Sequence, residues 1–153
     1  MQKSAINVSS PLGTLCLRAV DERIVSLGWV EIQEEGDSDV LATASTQLTE
    51  YFSGSRKYFE LPLAPLGSDF QQQVCHAMTR IPFGDTITYG ELAASIDSAA
   101  QPVGNACGGN SIPIIIPCHR VVGSDGLGGY SGEGGIDTKL WLLRHEKAVP
   151  YLI

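Results

Sequence analysis

The stretch Ile112-Pro113-Ile114-Ile115-Ile116-Pro117-Cys118-His119-Arg120-Val121-Val122 constrains the chain more than any other. A run this rich in branched apolar side chains belongs in a core, and β-branching favours an extended strand. Pro117 has no N–H to give to a sheet and ends that strand. Immediately beyond it stand a thiol, an imidazole and a guanidinium at successive positions. The expectation is a core strand that delivers Cys118 at its mouth, held rigidly beside a base, as a nucleophile requires. An isolated buried cysteine is more often a small apolar filler, but His119 and Arg120 favour the thiolate. Adjacent side chains on an extended chain point to opposite faces, so Cys118 and His119 would communicate through a water or a turn.

The organisation around this run falls into two parts. Ile6 and Val8, Leu15 and Leu17, then Ile24, Val25, Leu27 and Trp29 are separated by the turn signals Ser9–Gly13 and Asp21–Arg23, which predicts an antiparallel meander. Val40, Leu41, Ala44, Leu48, Tyr51 and Phe52 recur at helical spacing, and Gly54 ends that helix. Two prolines in Leu61–Gly67 exclude a helix and predict an extended linker. The expected domains are therefore 1–60 and 68–153, joined by 61–67. In the second, Ser68-x-x-Gln71 and Thr88-x-x-Glu91 are capping-box patterns opening two helices. Pro82–Asp85 is the turn between them. Pro102 suits the first turn of a third helix, ended by Gly108-Gly109. A glycine-rich loop, 126–135, precedes a final helix from Thr138 to about Lys147, capped by Asp137.

Composition excludes several classes. The net charge of −7 argues against nonspecific attachment to nucleic acid or anionic membrane. No apolar run reaches the roughly 20 residues of a membrane span, and the first residues show no signal peptide, so the expected compartment is the cytoplasm. Cys16, Cys75, Cys107 and Cys118 form no Cys-x-x-Cys pair and have no histidine at ligand spacing, so neither zinc nor any other cofactor is expected, and the thiols are expected reduced.

Other residues bear on chemistry. His119 needs an orienting group to act as a base, and Glu146 is a candidate, although most glutamates are solvated surface. The two capped helices with a glycine-containing turn can form a helix-turn-helix, a weak signal alone. The loop Gly123–Gly132, with Tyr130 as its aromatic, can wrap a flat ligand or simply be surface.

Pro117-Cys118-His119-Arg120-Val121-Val122, with Asn110 before it and Gly129-Tyr130-Ser131-Gly132 after it, resembles the O6-alkylguanine-DNA alkyltransferases, also called methylated-DNA–protein-cysteine methyltransferases. Ser10–Gly13, Phe70-Gln71, Ile81–Gly84, Thr88–Ala93 and Trp141–Glu146 extend the likeness, which is strongest over residues 67–146. The resemblance implies an α/β N-terminal ribonuclease-H-like domain and an α+β winged helix-turn-helix C-terminal domain. It implies that a monomer binds double-stranded DNA containing alkylated guanine, flips the damaged base out, and moves the alkyl group from O6 to Cys118 in a single turnover; O4-alkylthymine is a further candidate substrate. By the same resemblance, His119 deprotonates Cys118 through a water and Glu146 orients His119. Tyr89 crowds the phosphate of the flipped nucleotide and protonates the leaving guanine, and Asn110 bridges the helix-turn-helix to the active-site strand. Tyr130, Ser131 and Gly132 line the base pocket with the carbonyls of Cys118 and Val121. Thr88, Tyr89, Gln101, Pro102, Ala106 and Arg120 face DNA. Two alternatives are a lesion-sensing DNA-binding relative that transfers weakly or not at all, and a cysteine hydrolase or redox protein. The last would need a second thiol placed to resolve Cys118, and the sequence offers no sign of one.

The family pattern is broken where DNA is met. Gln101 stands where an arginine usually enters the duplex, Pro102 replaces the usual alanine, Gly109 precedes Asn110 in place of a basic residue, Ser111 replaces a proline and Cys75 a tryptophan. Between residues 69 and 122 two arginines face four carboxylates, a formal balance of −2. Because phosphate neutralisation supplies most nonspecific affinity, the chain is expected to bind duplex weakly, with a shallow salt dependence. Gln101→Arg should tighten duplex binding and speed repair, measured by fluorescence anisotropy and single-turnover kinetics. No change in either would show that this position does not enter the duplex.

Overall fold

A computed structural model describes residues 1–130, 132 and 134–148. The chain divides into two compact units, Met1–Pro65 and Leu66–Ile153.

In the first unit, β1 (Lys3–Ser10), β2 (Gly13–Val20) and β3 (Arg23–Gly28) form an antiparallel sheet in sequence order. The β2–β3 turn is tight because Asp21 and Glu22 both take positive φ, 49° and 60°, the twist that suits a two-residue hairpin. Helix α1 (Asp39–Ser53) lies on the sheet, its Val40, Leu41, Ala44, Leu48 and Tyr51 buried as the helical spacing predicts. Gly54 ends it in the left-handed conformation, φ 89°, where a side chain would be strained. The proline-containing stretch at 61–65 belongs to this unit. Ile24 N–H donates to Pro62 and Ala64 N–H donates to Ile24, at 3.0 and 2.8 Å, so the stretch runs parallel alongside β3.

The second unit holds α2 (Asp69–Thr79), β4 (Ile87–Thr88), α3 (Tyr89–Ser95), α4 (Ala100–Gly108), β5 (Val121–Val122) and α5 (Ile136–His145). Its three central helices pack on one another. Thr88 makes the full capping box with Glu91. Ser68 caps α2, but Gln71 does not reach back; its Nε2 donates to the Ala106 carbonyl at 2.7 Å and ties α2 to α4. Gly135, not Asp137, is the N-cap of α5, and Asp137 sits in its first turn.

The expected core strand at 112–116 is a tight turn instead. Ile116 N–H donates to the Ile112 carbonyl at 2.9 Å. Ile114 takes φ 75°, a conformation costly for a β-branched residue. Prolines at 113 and 117 break a continuous strand, and the apolar side chains are buried all the same. The strand pairing falls after the thiol, where β5 runs parallel to β4. Cys118 accordingly opens a short 3₁₀ turn, Cys118–Arg120. Asn110 holds the preceding turn closed: its Nδ2 donates to Ile116 O at 2.9 Å and its Oδ1 accepts from Ile112 N–H at 3.0 Å, both buried.

Asn110→Ala strips partners from two buried backbone groups, each worth about 1–3 kcal/mol when orphaned. It should destabilise the second unit by about 2–4 kcal/mol, read as a lower urea midpoint at unchanged slope.

Candidate active site

The 3₁₀ turn presents three consecutive side chains to a buried pocket of charge. Cys118, His119 and Arg120 are all nearly inaccessible, at 4, 0 and 6% of their surface. Glu146, just past the end of α5, meets two of them. His119 Nε2 lies 2.7 Å from Glu146 Oε2, and Arg120 clamps both carboxylate oxygens, Nε at 2.8 Å and Nη2 at 3.0 Å. Arg120 Nη1 also donates to the Ile81 carbonyl at 2.6 Å. A buried carboxylate survives only with such compensation.

These contacts set the protonation of the site. Burial alone would raise the Glu146 carboxyl, but the hydrogen bonds of His119 and Arg120 and the charge of Arg120 outweigh it and hold the group well below the usual carboxylate range. Burial is the largest influence on His119 and lowers its pKa, against the pull of Glu146. Arg120 already balances the carboxylate, so His119 is neutral at neutral pH. Its Nε2 then carries the hydrogen and donates to Glu146, leaving Nδ1 as the lone-pair nitrogen. That Nδ1 is buried without a partner in the protein.

Lys139 is a buried cation of the site that the sequence reading missed. It is fully buried in α5. Its Nζ donates to the carbonyls of Val121 and Gly129 at 2.7 and 2.8 Å, joining β5 to the glycine-rich loop. It lies 5.7 Å from the centre of the Tyr89 ring. Burial lowers its pKa to about 8, offset in part by negative charge on Cys118. A signal was present in the sequence: 139, 142, 143 and 146 share one helical face, the stripe that carries Leu142, Leu143 and Glu146.

A cavity of about 440 Å³ opens onto Cys118, within the range of small-molecule sites. Tyr89 and Tyr130 form its aromatic walls, Cys107 a further wall, and glycines of α4 and the loop leave it open. Gly128, at φ 74°, is needed for this shape: a Cβ there would fall 2.8 Å from the Tyr89 ring edge and hydroxyl. Burial foremost raises the Tyr89 hydroxyl pKa, so it stays a proton donor. The Tyr130 hydroxyl is raised further, by burial foremost, and finds no protein partner.

The other expected site residues divide. Gln101 and Pro102 are exposed in the first turn of α4. Thr88 is half-buried, its hydroxyl oxygen accepting from Glu91 N–H. Ala106 is buried, its carbonyl taken by Gln71, and offers no surface. Arg120 is not a DNA-facing cation; Glu146 and Ile81 hold it inside. Val121 is buried in β5, with its carbonyl accepting from Lys139. Gly132 is half-buried in a bend, and its carbonyl accepts from Gly135 N–H. Ser131 lies outside the described residues.

Comparisons with known proteins agree with this arrangement. Residues 6–65 match the ribonuclease-like domain, and residues 69–148 the DNA-binding domain, of 6-O-methylguanine DNA methyltransferase. A constitutive methylated-DNA–protein-cysteine methyltransferase of Bacillus subtilis is 40% identical over 152 residues, covering 90% of this chain and 92% of that protein. A methylated-DNA–protein-cysteine methyltransferase of Methanosarcina acetivorans is 40% identical over 153 residues, covering 90% of this chain and 94% of that one. The crystal structure of Mycobacterium tuberculosis OGT in complex with DNA superposes with a TM-score of 0.83 at 39% identity, over 97% of this chain and 96% of that one. On these grounds, an α/β ribonuclease-like unit followed by a DNA-binding unit with a buried Cys-His-Arg turn, the chain belongs to the 6-O-methylguanine DNA methyltransferase family.

Proposed function

We propose that this protein repairs DNA by taking an alkyl group from O6 of guanine onto Cys118, once per molecule. The observation that carries the reading is the buried lone-pair nitrogen of His119, set by Glu146 in the same turn as a thiol that lines a base-sized cavity. The damaged nucleotide leaves the stack, and its guanine enters between Tyr89 and Tyr130. His119 Nδ1 takes the Cys118 proton through a water, and Glu146 and Arg120 hold the imidazolium so formed. The thiolate attacks the alkyl carbon; the S–C bond forms as the C–O6 bond breaks. Tyr89, kept protonated, gives its proton to the departing guanine. The Lys139 ammonium lowers the energy of the negative charge on Cys118 and fixes the loop that carries Tyr130. A thioether has no route back, which makes the reaction stoichiometric.

Asn110 positions the Cys118 turn from the end of α4, and Gln101, Pro102 and Thr88 offer the duplex-facing edge. Gly129 and Tyr130 of the glycine-rich loop complete the base site. Acceptor, base and orienting carboxylate come from one chain, which suits a monomer. The acceptor must remain a thiol, which suits the reducing cytoplasm. Among the described residues no helix is long and apolar enough to cross a membrane.

Incubation with an O6-methylguanine duplex should add one methyl group per molecule, found on Cys118 by intact mass and peptide mapping, and Cys118→Ser should leave the lesion in place. Binding without a mass gain would make the protein a lesion sensor, and continuing turnover would make it a hydrolase.

The transfer rate should be bell-shaped in pH. Protonation of His119 blocks Nδ1, so the acid limb lies below the ordinary imidazole value of about 6.5, as its lowered pKa requires. Lys139 loses its charge at about 8, which sets the alkaline limb. Lys139→Met should slow transfer about tenfold and abolish that limb in stopped-flow profiles. An alkaline limb that persists in this variant assigns the limb to another group.

A further inference from the structure

Cys107 shares the cavity wall with Cys118, which supplies the second thiol that the sequence did not reveal. The two come from different elements, the last turn of α4 and the 3₁₀ turn, and both are buried. Asn110 ties the end of α4 to the turn that precedes Cys118, so the intervening loop is short and pinned. Gly108 and Gly109, both exposed, follow Cys107 directly and let the helix end give. Among the described residues no three His, Cys, Asp or Glu side chains converge as a metal site. Nor does the transfer reaction use Cys107.

We propose that Cys107 is a resolving thiol, which captures the oxidised form of Cys118 as an intramolecular disulfide and so keeps the acceptor recoverable. The oxidant is hydrogen peroxide. The Cys118 thiolate attacks one peroxide oxygen, the O–O bond breaks, and with one proton the products are Cys118 sulfenic acid and water. The Cys107 sulfur then attacks the Cys118 sulfur. The S–S bond forms, the S–O bond breaks, and the Cys107 proton leaves with the oxygen as a second water. Two thiols of a small reductant later restore both cysteines and are themselves oxidised to a disulfide.

Charge makes the order of events selective. Burial, and next the charge of Cys118, push the Cys107 thiol up to about 12. Cys107 therefore stays protonated and inert when His119 takes the proton of Cys118. Oxidation to the neutral sulfenic acid removes that charge and eases deprotonation of Cys107 only when it is needed. Without capture, a sulfenic acid proceeds to sulfinic acid, which a thiol cannot reverse. For a protein that acts once, that loss is the loss of the molecule.

The inference rests on Cys118 being the reactive thiolate of the proposed function, and the test separates the two. The full chain is treated with a small molar excess of hydrogen peroxide, enough to carry an uncaptured sulfenic acid on to sulfinic acid, then blocked with iodoacetamide and digested with trypsin without reduction. No lysine or arginine lies between Arg80 and Arg120. A Cys107–Cys118 bridge therefore gives one unlabelled peptide, 81–120, lighter by two hydrogens. Cys75 lies in the preceding peptide, so a Cys75–Cys118 bridge would instead join two peptides. Dithiothreitol should restore iodoacetamide labelling of Cys118 and alkyl transfer, each scored against the same protein before oxidation. In Cys107→Ser and Cys107→Ala, Cys118 should go to sulfinic acid, and rescue should fall about tenfold or more. Sulfinic acid on Cys118 with Cys107 free in the unaltered chain, a Cys75 bridge, or full rescue in both variants would overturn the proposal. Untreated protein that fails to transfer yet forms the bridge would sink the proposed function alone.

Discussion

The carboxylate of Glu146 is the point on which the site depends. It comes from the far end of the second unit, 26 residues beyond Arg120 and 27 beyond His119. One buried anion meets a permanent cation through a two-point clamp and a neutral imidazole through a single hydrogen bond. Removing Arg120 would leave Glu146 as an uncompensated charge in the interior, a loss of about 3–5 kcal/mol. The same contacts choose the histidine tautomer. Arg120 makes Glu146 a carboxylate without needing protonated His119, so the imidazole is free to be a base. Structure and reactivity thus come from one ion pair, and neither can be tuned alone.

That ion pair would accomplish little if the thiol were on a strand. A strand would send Cys118 and His119 to opposite faces. The 3₁₀ turn curls the three residues so that the histidine and arginine reach Glu146 while the thiol lines the cavity. The turn is made by local conflict. Two prolines deny strand pairing, Ile114 accepts positive φ, and Asn110 satisfies the backbone groups left over. The strain of one β-branched residue is offset by the burial of four isoleucines and by those two hydrogen bonds.

What the sequence revealed follows from the range of the interactions involved. The meander, the helical face of α1, the Thr88–Glu91 box and the glycine end of α4 are written in neighbours a few residues apart, and all were readable. Apolar composition marked 112–116 as core, but composition alone does not separate a buried turn from a buried strand; only the prolines hinted at it. Arg120 was expected at the DNA surface because its buried partner lies far along the chain. Lys139 looked like an ordinary helix cation until its helical phase was set beside Leu142 and Glu146. Cys107 gave no sign, since nothing local places the end of α4 against the Cys118 turn.

The burial of Arg120 and Lys139 also recasts the acidic balance of the chain. These two cations serve a carboxylate, two carbonyls and the thiolate, so they do not neutralise phosphate. The basic residues left exposed in the second unit are Arg80, Arg144 and Lys147, and the first turn of α4 presents the neutral Gln101 and Pro102. Positive charge is therefore concentrated where the reaction needs it and thin where a duplex would meet it. Long-range attraction of this unit to undamaged DNA is correspondingly weak at ordinary salt. Discrimination then falls on the cavity, where a purine between two tyrosines gains contacts that an intact, stacked base never makes. Under the proposed function, this chain gives up residence time on DNA in general and depends on capture at the lesion.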